Sequence, residues 1–212
     1  MHTINWKEIV VDWDKTYPVM EHFYTLQGEG SYAGHAAYFI RLAGCDVGCV
    51  WCDVKESWEE EGHPVYTVKQ LCDVVLEYPG RLVVITGGEP AMHDLTMLTA
   101  ALKQAGCRTH IETSGSSELT GHIDWVTLSP KKFKAPLSTA LAAADEFKVV
   151  VFHQSDFEWA NTMLPSLSAT CKLYLQTEWS KKDKLSDSII EYIKANPEWH
   201  LSMQTHKYLQ IP

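Results

Sequence analysis

Three cysteines, Cys45, Cys49 and Cys52, stand at C-x3-C-x2-C spacing in the segment Cys45-Asp46-Val47-Gly48-Cys49-Val50-Trp51-Cys52. Thiols this close on one loop can hold a metal centre, and thiolates select zinc, copper(I) or iron–sulfur clusters. A closed zinc site takes four protein ligands, and His63 or Cys72 would be the fourth. A [4Fe–4S] cluster is usually held by four cysteines, so three leave one iron open to a small molecule. The spacing leaves both readings standing. Gly87-Gly88-Glu89-Pro90 is either a turn or a place where backbone carbonyls, freed of Cβ atoms, accept from an ammonium group. Leu26-Gln27-Gly28-Glu29-Gly30 is either a plain loop or a set of coplanar donors and acceptors for a flat amide-and-amino edge. Arg41 is either a structural ion-pair partner or a fork for a carboxylate.

These groups need elements to hold them. Ala36–Leu42 is a short, nearly continuous apolar run, suited to a parallel strand covered on both faces. Leu82–Thr86, Arg108–Ile111, Trp125–Leu128, Phe147–Val151, Leu173–Gln176 and His200–Met203 repeat the pattern. Between them the sequence predicts helices near Val68–Leu76, Leu95–Ala105, Phe157–Met163 and Leu185–Lys194. Val68, Leu71, Cys72 and Val75 fall at helical spacing. Only the Ala-rich stretch Thr139–Ala144 fills the interval 127–145, so one crossover is abbreviated. Strands alternating with helices imply βα units and an α/β fold with a parallel sheet. Residues 1–22 show no clean periodicity and read as an irregular N-terminal arm on one domain spanning 1–212.

In such folds chemistry gathers beyond the C-terminal ends of the strands. There the predicted strands carry Cys45, Gly87-Gly88-Glu89, Glu112-Thr113-Ser114, Ser129-Pro130-Lys131, Gln176 and Gln204-Thr205-His206. Ligating or polar groups thus recur at one rim.

The C-x3-C-x-aromatic-C motif after the first apolar strand and Gly87-Gly88-Glu89-Pro90 after the next resemble the radical S-adenosylmethionine (SAM) superfamily. With Leu26-Gln27-Gly28-Glu29-Gly30, His206 and Pro212 added, the chain is similar to the 7-carboxy-7-deazaguanine synthase family from about Phe23 to its last residue. The resemblance implies a partial, TIM-like barrel of about six parallel strands with abbreviated helices. It implies a [4Fe–4S] cluster on Cys45, Cys49 and Cys52. SAM would lie against Trp51, Gly88, Glu89, Ser114, Ser129, Pro130, Lys131 and Gln176. A pterin substrate would meet Leu26, Gln27, Gly28, Glu29, Arg41, Thr86, His206 and the carboxylate of Pro212. No general base is named by the motifs; Glu29 and His206 are placed to serve. An electron donor such as flavodoxin or ferredoxin and a homodimeric state also follow from the resemblance. One departure stands out. After Cys52 comes Asp53-Val54, where the family commonly has a hydroxyl residue at the second position for Mg2+. Any Mg2+ would then rest on the Val54 carbonyl, with Asp53, substrate and waters. The rivals are an activating enzyme that makes a glycyl radical on a protein, and a zinc-stabilised binding module without catalysis.

Composition narrows the field. The chain has 212 residues, 45% hydrophobic and 21% charged, enough to bury about 70% of its unfolded surface. Its 27 acidic residues outweigh 18 basic ones, a net charge of -9 that argues against a nucleic-acid partner. No stretch approaches the roughly 20 apolar residues of a membrane helix. The first six residues lack the basic and apolar blocks of a signal peptide. Three of the six cysteines sit apart, as small buried hydrophobes in a reducing cytoplasm would.

Overall fold

The computed structural model describes residues 5–212; the first four residues, part of the stretch read above for a signal peptide and an arm, lie outside the described residues. The strands are β1 (Thr16–Leu26), β2 (Ala36–Leu42), β3 (Val65–Thr67), β4 (Leu82–Gly87), β5 (Arg108–Thr113), β6 (Trp125–Leu128), β7 (Glu146–Val151), β8 (Lys172–Thr177) and β9 (Trp199–Ser202). The α-helices are α1 (Val68–Leu76), α2 (Thr96–Gln104), α3 (Ser138–Ala143), α4 (Ser155–Asn161), α5 (Lys182–Ala195) and α6 (Thr205–Leu209).

One sheet runs in the order β3-β1-β2-β4-β5-β6-β7-β8-β9. From β2 through β9 every neighbouring pair is parallel, so the partial barrel has seven parallel strands rather than about six. Each of the seven apolar runs is one of them. The abbreviated crossover is α3, six residues long, and β6 and β7 meet in only two residue pairs.

The N-terminal arm is a correction. Residues 16–26 form an eleven-residue strand, antiparallel to both β2 and β3, with a register shift between Val19 and Glu21. Pro18 and the run of half-buried aromatics hid it, because proline within a run marks an edge or a bulge. Tyr17 and Val19 are fully covered while their neighbours are not.

Local chemistry fixes the helices. Thr67 caps α1: its hydroxyl accepts from the Gln70 N–H at 3.1 Å, and the Gln70 side chain accepts from the Thr67 N–H at 2.8 Å. This reciprocal box satisfies two donors that a helix start would leave orphaned. The Val68, Leu71, Cys72 and Val75 face then packs with Leu98 and Leu102 of α2 and Ile40 of β2 in one apolar core. A second core joins Phe147 and Val149 of β7 to Leu175, Leu185, Ile189 and Trp199. Burying each such aliphatic side chain stabilises by about 1.5–3 kcal/mol.

β3 and β9 end the sheet, yet its two halves meet beyond the strands. The Thr205 N–H and hydroxyl donate to the Gly28 carbonyl at 3.0 and 2.9 Å, and the Gly30 N–H donates to Ser202 Oγ at 3.1 Å. The loop after β1 is thereby held against the end of β9, closing a hollow at the C-terminal rim.

Candidate active site

That hollow is a cavity of about 280 Å3. Cys45, Cys49 and Cys52 line one side of it. Their loop is anchored at its base, where the Cys45 N–H donates to the Trp58 carbonyl at 3.0 Å and Gly44 to Ser57 at 2.8 Å. All six cysteines are free thiols. Burial pushes the Cys49 thiol up to about 11; Lys131 opposes the rise, and the neighbouring Cys52 and Cys45 thiols add to it. Neither candidate fourth ligand for zinc is at hand. Cys72 is buried in the first core, and His63 Nε2 lies 2.8 Å from the Glu56 carbonyl oxygen. Among the described residues no three His, Cys, Asp or Glu side chains converge tightly enough for one metal ion. A cluster needs no such convergence, since its thiolates bind separate irons. Three thiols on one cavity wall, with no fourth, fit a [4Fe–4S] cluster with an open iron.

The glycine motif packs directly on this loop. Gly88 donates to the Leu42 carbonyl at 3.0 Å and Glu89 to the Gly44 carbonyl at 2.8 Å. A Cβ on Gly88 would stand 2.3 Å from the Gly44 oxygen, so only glycine lets the two segments touch. The Glu89 carboxylate is 1% exposed and accepts from the Ala91 N–H, the Thr113 hydroxyl, and both the N–H and hydroxyl of Ser114. It ties the ends of β4 and β5 together and has little left for a ligand. Lys131 donates to the carbonyl and hydroxyl of Ser129, both at 2.6 Å, and its ammonium lies 5.7 Å from the Trp51 ring centre. Trp51 in turn stacks on Phe152 at 6.4 Å. Ser114, Ser129, Lys131 and Gln176 all line the cavity. Pro130 is buried and does not reach it.

The opposite wall is a charge network. Lys148 on β7 is 3% exposed at its side chain and donates to Glu29 Oε2, with Glu112 Oε2 3.6 Å away. Gln27 Nε2 donates to Glu112 Oε1 at 2.8 Å, and the Glu29 N–H donates to Gln27 Oε1 at 3.1 Å. Gln204 Nε2 donates to Glu29 Oε1 at 3.0 Å. Burial by itself would raise the Glu29 carboxyl, but the Lys148 ammonium and the Gln204 bond carry it down to about 2. These contacts favour the ionised form of the Glu29 carboxyl. Burial also lowers His206, leaving a neutral imidazole packed on Gly28. The Gly28 carbonyl, placed above as a ligand acceptor, has both lone pairs engaged by Thr205. Gln27 likewise uses its amide on neighbours, so the loop arrives as a braced wall.

Lys148 escaped the motif reading, although a lysine inside the apolar run Phe147–Val151 is a signal in itself. Such a residue is almost never fully buried unless paired. Phe23, Phe39, Trp179 and Lys207 also line the cavity and carried no motif. Arg41 reaches it with Nε committed to Glu21 at 2.7 Å, which leaves its terminal nitrogens free. Leu26, Thr86 and Pro212 line the same space.

The magnesium expectation fails its test. The Val54 carbonyl already accepts from the Ser57 hydroxyl at 2.6 Å and the Ser57 N–H at 3.1 Å. Asp53 spends one carboxylate oxygen on Lys207 at 2.8 Å. The residues after Cys52 do not fit a magnesium ion, whose octahedron needs several free oxygens.

Residues 39–133, which carry the cysteine loop and both glycines, match the Radical SAM superfamily. The fold is that of this class, and the class carries a [4Fe–4S] cluster and SAM. Within it, the chain is 46% identical over 205 residues to 7-carboxy-7-deazaguanine synthase of Flavobacterium psychrophilum, covering 97% of both chains. The synthase of Escherichia coli strain K12 is 39% identical over 221 residues, covering 92% of this chain and 99% of that one. The crystal structure of QueE from Escherichia coli superposes with a TM-score of 0.81 at 38% identity, over 89% of this chain and 93% of the other. The chain belongs to the 7-carboxy-7-deazaguanine synthase family, and the zinc module and the glycyl-radical activating enzyme are set aside.

Proposed function

We propose that this protein is a radical SAM lyase that converts 6-carboxy-5,6,7,8-tetrahydropterin to 7-carboxy-7-deazaguanine with loss of ammonia, in 7-deazapurine (queuosine/preQ0) biosynthesis. The observation that carries the reading is one cavity with three thiols on one wall and the Glu29–Lys148–Glu112 network on the other. Held on Cys45, Cys49 and Cys52, a cluster with SAM beside it would supply radical hydrogen abstraction at the substrate carbon that bears the carboxylate. The chain's own residues bind, orient and exclude water. Gly88 and the Ser129–Lys131 segment hold SAM beside the cysteine loop, with the Trp51 ring at the adenine. Glu29, kept ionised by Lys148, and Glu112 accept from the amino-pyrimidinone edge, with Pro212 lining the same cavity. Arg41 and Thr86 face the substrate carboxylate. His206, a neutral imidazole among the described lining residues, contacts the substrate from the Gly28 side.

No step in this reading passes through a divalent ion. By the resemblance, flavodoxin or ferredoxin supplies the electron and the working form is a cytoplasmic homodimer. Among the described residues no helix is long and apolar enough to cross a membrane. The test is turnover by the anaerobically reconstituted protein with SAM, a reductant and the pterin. A product lighter than the substrate by one ammonia supports the reading; SAM cleavage with the pterin unchanged overturns it.

A further inference from the structure

A carboxylate brought into a half-buried cavity needs a cation, and among the described residues four line this one: Arg41, Lys131, Lys148 and Lys207. Two of them are spent. Lys131 is bonded to Ser129 on the cysteine wall, and Lys148 lies between Glu29 and Glu112. Arg41 keeps its terminal nitrogens. Lys207, on the short helix α6, makes one bond, to Asp53 Oδ2 at 2.8 Å, so two of its three ammonium donors are uncommitted. Its side chain is only 22% exposed and its ammonium lies 5.4 Å from the Trp179 ring centre, which limits where it can swing. Asp53 follows Cys52 directly, so the Asp53–Lys207 pair stands beside the residue from which a metal ion would have been held.

We propose that Lys207 is the counter-cation for the substrate carboxylate, acting with Arg41, and that this chain binds the acid without a divalent ion. The inference rests on the carboxylated-pterin reading above. The chemistry is simple. Val54 has no hydroxyl and its carbonyl is engaged by Ser57, so the usual oxygen cradle is missing; an ammonium anchored on Asp53 brings the positive charge to the same place. Asp53 then acts as a positioning residue, fixing the lysine rather than a metal.

The probe is 6-carboxypterin, the oxidised acid, compared with pterin lacking the carboxylate. Both are titrated into the reconstituted, unreduced enzyme with SAM, in Mg2+ or in EDTA, with ligand fluorescence as the readout. The acid should bind equally well with Mg2+ and with EDTA, and about ten- to a hundredfold more tightly than pterin. Lys207→Met should erase most of that preference while leaving pterin affinity unchanged, and Lys207→Arg should keep it. A large gain in acid affinity on adding Mg2+, or an intact preference in Lys207→Met, would overturn the proposal alone. Failure of both pterins to bind the wild-type enzyme would overturn the functional reading and this proposal with it.

Discussion

The two walls of the cavity are built on opposite principles. The cysteine wall comes from neighbours in sequence: Cys45, Cys49 and Cys52 share one loop, and Gly88 lets that loop touch the end of β4. The facing wall comes from residues far apart. Lys148 meets Glu29 across 119 positions, and Gln204 meets Glu29 across 175. A local wall depends on spacing and survives as a motif. A distant wall depends on the whole sheet being formed, and its charges tolerate burial only because each has a partner.

Breaking each wall should therefore fail differently. Replacing Cys49 with alanine should abolish cluster retention and turnover while leaving the melting temperature of the cluster-free protein nearly unchanged; iron content and calorimetry read the two. Lys148→Met should keep its iron but destabilise the chain by roughly 3–5 kcal/mol in urea denaturation, because two carboxylates are left buried and facing. The pH dependence has a definite sign. Glu29 lies at about 2 when folded against an ordinary 4.5, so its contribution is complete above pH 4.5 and fades as pH falls toward 2. The gap between wild type and Lys148→Met should narrow across that window. Glu89→Gln removes a carboxylate that accepts from Thr113 and Ser114 and should cost about 1.5–3 kcal/mol, with weaker SAM binding in titration. Lys69→Ala, which breaks an exposed pair with Asp73 on α1, should stay within about 0.5 kcal/mol and leave both walls intact.

The same division explains what the sequence revealed. Helix α1 begins and ends where its periodicity and Thr67 cap put it, and the seven apolar runs are the seven parallel strands. The cysteine and glycine motifs were legible because their geometry is local. Strand β1 was not, since Pro18 and one-sided burial blur its alternation. The partners of Lys148 were invisible for another reason: nothing local says which carboxylates will lie beside it. Val54 was legible as a departure, but the bonds from Ser57 that occupy its carbonyl, and the lysine that holds Asp53, needed the folded chain.

The account depends most on an iron that no side chain of this protein ligates, open toward the braced wall. Electron–nuclear double resonance on the reduced, reconstituted protein with isotope-labelled SAM tests it directly. Hyperfine coupling between the cluster and the labelled amino nitrogen and carboxylate oxygen of SAM is the predicted result. A fully ligated cluster that shows no coupling to SAM would contradict it.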